Sequence, residues 1–89
     1  MNAIVSVLGR DRVGITAAVC VKMADYQINI LDISMTIMQG NFTMIMVVDL
    51  AQMTAPFGDV VEACDALGHE LGVSIRIQRQ EIFDAMHEI

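Results

Sequence analysis

The residues best suited to chemistry lie together in Gly9-Arg10-Asp11-Arg12-Val13-Gly14-Ile15-Thr16. An apolar, β-branched run precedes this segment and a helical period follows it. The backbone N–H groups of a helix start therefore point outward here, where they favour an anion. Gly9, Gly14 and Thr16 repeat the spacing of a phosphate-binding loop, but Ile15 stands where its lysine belongs. That excludes a nucleoside triphosphate. A smaller anion such as a carboxylate fits: Gly14 permits close approach, and Arg10 or Arg12 assists electrostatically. A purely structural reading uses the same residues, with Asp11 capping the helix, Gly14 letting helix and strand pack, and the arginines solvated. The residues alone leave both open.

Other reactive types are scattered. Cys64 falls on the apolar stripe of a second helix and His69 projects from a different face, so they form no nucleophile–base pair. Cys64 is expected in the core, and both Cys20 and Cys64 as free thiols. His69 and His87 are isolated and read as solvated side chains. Met35 and Met38 point to opposite faces of an extended segment, which argues against a soft-metal pair. The eight methionines read as flexible core and interface filler. No metal and no cofactor is expected.

The elements that must hold the loop follow from the pattern. Ala3 to Leu8 predicts a central strand, stopped by Gly9. Ile15, Ala18, Val19, Met23 and Tyr26 repeat at helical spacing. Ile28 to Met38 and Phe42 to Leu50 are extended runs around Gly40-Asn41, a turn suited to a hairpin. A second helix begins near Pro56 with Thr54 as a possible cap, and ends at Gly72. Its apolar face is Val60, Val61, Cys64, Leu67, Gly68 and Leu71. Val73, Ile75 and Ile77 alternate with polar residues as in an edge strand. The expectation is an α+β, ferredoxin-like βαββαβ sandwich, an antiparallel sheet with two helices on one face. It covers residues 1–79, and residues 80–89 form an amphipathic helical extension bearing Ile82, Phe83, Met86 and Ile89.

Eighty-nine residues suffice for one domain. At this size roughly 60 to 65% of the chain's surface is buried on folding, yet 55% of the residues are hydrophobic and mean hydropathy is +0.56. In the hairpin, Leu31, Ile33, Met35 and Ile37 form one alternating apolar set, and the facing strand is apolar on both sides. A homodimer covering the second face or an edge strand is therefore expected. Five Lys plus Arg against 11 Asp plus Glu give a net charge of −6, which disfavours nucleic acid and anionic membrane. The strands also lack the aromatics and basic flanks of an RNA-binding sheet. The longest charge-free stretch, Ile33 to Val48, is shorter than the ~20 apolar residues of a spanning helix. No export signal is visible, and a cytoplasmic location is expected.

The strand, the Gly-Arg-Asp-Arg-Val-Gly-Ile loop, the helix and Ile28-Asn29-Ile30-Leu31-Asp32-Ile33 together resemble the ACT domain over about residues 3 to 79. With Gln39-Gly40-Asn41-Phe42-Thr43-Met44 and Ile82-Phe83-Asp84-Ala85-Met86-His87, the chain resembles stand-alone ACT proteins and the ACT halves of the glycine cleavage system transcriptional repressor. The resemblance implies a regulatory protein, not an enzyme, that binds an amino acid or similar small carboxylate between paired domains. It implies ligand contacts at Asp11, Val13, Gly14 and Ile15, and at Asn29 and Ile30 of a neighbour. Asn29 could equally bond to nearby backbone. The proline typical after the loop's arginine is Val13 here. One alternative is a ligand-free interaction module that docks a protein partner. An acylphosphatase-like hydrolase is disfavoured, because a Gly-rich loop ending in Phe-Arg is absent and Asp11 opposes phosphate.

Overall fold

The computed structural model describes residues 1–81. In chain order they form β1 (Asn2–Arg10), α1 (Ile15–Asp25), β2 (Asn29–Met38), β3 (Asn41–Asp49), α2 (Phe57–Leu71) and β4 (Val73–Arg79). The strands make one sheet in the order β2-β3-β1-β4, with every pairing antiparallel. This is the expected ferredoxin-like βαββαβ fold, with β1 internal and β4 at an edge. The expected C-terminal helix, with Ile82, Phe83, Met86 and Ile89, lies outside the described residues.

The core occupies one face of the sheet. Ala3, Val5 and Val7 of β1 pair with Val48, Met46 and Met44 of β3, and all six are fully buried. Ile75 and Ile77 of β4 pair with Val7 and Val5 and extend this layer. Ile15, Val19 and Met23 of α1 and Val60, Cys64 and Leu67 of α2 belong to the same cluster, so both helices cover the same face. Each such side chain contributes about 1.5 to 3 kcal/mol relative to exposure.

Three local expectations need correction. Gly9 does not stop β1, which runs on to Arg10. Gly9 instead sits opposite Val73, and a Cβ there would come within 2.6 Å of the valine side chain, so the glycine is what lets β1 and β4 pair. The hairpin turn is Gln39-Gly40, with φ of 54° and 80°, and Asn41 is already in β3. Two positive φ angles in a two-residue loop match the strand twist. At the start of α2, Pro56 is the cap and no side chain bonds there, so Thr54 does not cap.

The register of β2 explains the apolar excess. A break between Ile30 and Asp32 leaves Leu31 unpaired, after which Ile33, Met35 and Ile37 lie opposite Met46, Met44 and Phe42 on the helix side. A bulge of this kind shifts the alternation by one residue, so Ile30 rather than Leu31 shares their face. Neither helix reaches over them: Met35 is 48% and Ile37 56% exposed.

Close packing also joins α2 to β4. A Cβ on Gly68 would lie 2.7 Å from the Val73 carbonyl oxygen and 3.3 Å from the Ile75 nitrogen, whereas one on Gly58 meets nothing within 4 Å. Gly68→Ala should therefore lower unfolding stability by about 1 to 3 kcal/mol in urea titrations. Gly58→Ala should leave it unchanged or raise it by up to about 1 kcal/mol.

Candidate functional site

The loop between β1 and α1 is held from two sides. The Asp11 N–H donates to the Gly40 carbonyl at 2.9 Å, joining it to the hairpin turn. The Arg12 guanidinium donates through Nη1 to the Leu71 carbonyl at 2.9 Å, at the C-terminal end of α2. A cation is favoured there by the unpaired carbonyls and the negative end of the helix dipole. Arg12 thus braces the loop instead of facing a ligand, and of the two arginines only Arg10, exposed at the end of β1, stays available. Because Arg12 and Leu71 are 59 positions apart, no local sequence signal pairs them.

The helix start itself is open. Gly14 is the N-cap of α1 with φ of 93°, no side chain bonds there, and the first turn carries no acidic residue. Asp11 therefore does not cap the helix, which corrects the structural reading of that residue. The Gly14 carbonyl accepts from Ala18 N–H, closing the first helical turn. Ahead of that bond the amides of Ile15, Thr16 and Ala17 have no acceptor one turn back within the helix, as at any N-terminus. Val13 is fully exposed beside them, whereas Ile15 is buried in the core, so Ile15 can offer only its backbone to a ligand. The Thr16 hydroxyl turns toward Met44 Sδ at 3.9 Å. Open space surrounds Gly14, but its left-handed backbone makes a β-branched residue there strained in itself. A Gly14→Val change would thus disturb the fold as well as the site.

The other two expected contacts lie far away in the same chain. Asn29 pairs with Asp49, which also pairs with Asn2, whereas Arg10 and Met38 both pair with Asn41. Asn29 and the loop are therefore at opposite ends of the sheet, roughly 26 Å apart at about 3.3 Å per strand residue. Asn29 is exposed and Ile30 half-buried. The structure brings Asp11, Val13, Gly14 and Ile15 together and leaves Asn29 and Ile30 apart from them.

Among the described residues no three His, Cys, Asp or Glu side chains approach closely enough to hold a metal ion. No described helix is long and apolar enough to cross a membrane. Cys64 is buried, and burial pushes its thiol up from 9.0 to about 11, partly offset by Lys22. Both thiols are free, and Cys20 is only half-buried.

The described residues form a βαββαβ module of ferredoxin-like fold whose first helix start is braced by Arg12 and carries no side-chain cap. The family model described as ACT domain matches residues 2–78. The chain belongs to the ACT-domain family, whose domain is a regulatory, small-ligand-binding module. A UPF0237 protein of Listeria innocua is 49% identical over 89 residues, covering 100% of both chains. An ACT domain protein from Streptococcus pneumoniae of known structure superimposes with a TM-score of 0.82 at 39% identity, over 94% of each chain. A protein described as a glycine cleavage system transcriptional repressor shares the fold at 22% identity. Its TM-score is 0.72, over 89% of this chain and 45% of that one.

The two free thiols differ in burial, and alkylation reads that difference directly. At pH 8, iodoacetamide should modify Cys20 and spare Cys64 until the protein unfolds, as read by intact mass. The folded state favours the neutral Cys64 thiol, so its contribution to stability is full below pH 9.0 and lost as pH climbs toward about 11.

Proposed function

We propose that this chain is a small cytoplasmic regulatory protein that dimerises along its β2 edges. In this reading it binds an amino acid, or a similar small carboxylate, between the first loop of one subunit and Asn29 and Ile30 of the other. The hydrogen bond from Asp11 N–H to the Gly40 carbonyl carries the proposal, because it sets the loop beside the turn that ends β2. A two-fold axis beside an edge strand pairs it antiparallel with its copy. The start of β2 in one subunit then lies at the same end as the partner's turn and loop. Two residues separated along one sheet thus become neighbours across the dimer.

The edge itself supports this pairing. β2 is ten residues long, with Asp32 its sole charge and no proline or lysine to blunt it. Such an edge, with Ile33, Met35 and Ile37 uncovered, calls for a partner. α1 adds to the surface, since Ala17, Val21 and Ala24 at helical spacing are also exposed.

A zwitterion matches the loop. The carboxylate accepts from the amides at the start of α1, with Arg10 near, and the ammonium group faces the exposed Asp11 carboxylate. Binding across the interface favours the dimer, and this linkage is the regulatory output. The role is regulatory and not catalytic.

Native mass spectrometry with and without pooled amino acids tests both halves. The expected spectrum is a dimer that gains a defined amino-acid mass, with Met35→Lys giving a monomer that gains none. Val13→Glu should weaken binding about tenfold, or about 1.4 kcal/mol, without shifting the urea midpoint. A dimer that gains no mass at millimolar ligand would favour the interaction module, and a monomeric wild type would remove the shared site.

A further inference from the structure

The two edges of the sheet have different neighbours: β2 makes no contact with α2, whereas β4, which itself carries Arg76 and Arg79, runs beside it and shares a groove with Glu62 and Asp65. β4 pairs only with β1, so the outer backbone of Val73 to Ile77 meets no strand among the described residues. Beside it α2 and β4 enclose a groove of about 330 Å³, with Val61, Ile75 and Ile77 as its apolar part and Glu62 and Asp65 at its rim. Glu62 and Asp65 are three residues apart on α2, which places both on one side of the helix. The side chain of Asp65 is 75% exposed and lies 3.7 Å from His69 Nε2, an ion pair only when that imidazole is protonated. Glu62 has no ion pair among the described residues. Arg76 also borders the groove, but it pairs with Ser6 on the opposite face of the sheet and bridges to neither carboxylate.

A second copy of this chain is a poor occupant. Two-fold pairing of β4 with itself would line up Glu62 and Asp65 of both copies along one seam, and like charges so placed repel. Nucleic acid and anionic lipid are disfavoured for the same reason. We infer that the α2–β4 groove is a docking site for an extended segment of a partner protein that adds a strand to β4 and carries Lys or Arg at alternate positions. The backbone of such a segment satisfies the open edge. Its basic residues on the helix side lay their methylene stems over exposed Val61, above the buried Ile75 and Ile77, and reach Glu62 and Asp65 with their charges. Its intervening residues face Arg76 and are uncharged or acidic. The site goes beyond the amino-acid reading and does not depend on it.

The test uses ¹⁵N-labelled full-length protein and two blocked heptapeptides, one alternating Thr with Lys and one alternating Thr with Glu. With the Lys peptide at about 1 mM, a concentration suited to weak strand addition, amide shifts should concentrate in Val73 to Ile77 and Val61 to Asp65. The Glu peptide should leave them in place. Glu62→Gln with Asp65→Asn, both surface changes, should raise the Kd about fivefold or more and remove most of its salt dependence. Four results would overturn the inference: no shifts with the Lys peptide, equal shifts from both peptides, shifts confined to β2, or β4 amides already protected from exchange by self-pairing.

Discussion

The fold depends on β1 being paired along both edges. Nine residues of β1 meet β3 and seven of those nine also meet β4, so one strand sets the register of two others. Its helix-facing row, Ala3, Val5 and Val7, is completely buried, and the apolar faces of both helices rest on the layer that this row anchors. Because β1 is internal, its exit is also fixed. The chain leaves at Arg10 beside the hairpin turn and enters α1 through Gly14, and the candidate site is formed there.

That loop is tied down by two bonds to distant elements, one from its backbone and one from a side chain. Asp11 contributes its amide to the hairpin and Arg12 its guanidinium to the end of α2, while the helix start is left without a cap. A capping side chain would stabilise α1 by about 1 kcal/mol. Leaving it out keeps the first-turn amides open to an outside acceptor, at a place where the surrounding contacts already hold the backbone. The anion-binding proposal rests on this combination of a fixed frame and open donors.

Much of this was legible in the residues. The periodicities of Val5 to Val7, Ile15 to Met23 and Val60 to Leu67 each reflect burial on one face, and burial is what the fold is built from. The exposed apolar row of β2 shows in the sequence as an apolar excess, although the break at Leu31 places Ile33, Met35 and Ile37 on the helix side by a shift no pattern encodes. The turn moved by one residue because Gln39 accepts a positive φ angle once the register demands it. From sequence Arg12 reads as one of two arginines able to assist an anion electrostatically, since nothing there links it to Leu71, 59 positions away. The separation of Asn29 from the loop follows from strand direction: β1 and β2 each run antiparallel to β3 and so parallel to one another, which puts the start of β2 and the exit of β1 at opposite ends.

In the proposed dimer two β2 edges pair antiparallel and so unite the two halves of the site. Isotope-filtered NOE spectroscopy on a mixed sample of ¹³C-labelled and unlabelled protein tests it most directly. The expected result is intermolecular contacts among Ile33, Met35 and Ile37, and between Asn29 of one subunit and the Met38 end of the other. Intermolecular contacts running instead from Leu8 and Ile45 on the opposite face, or along β4, would contradict it.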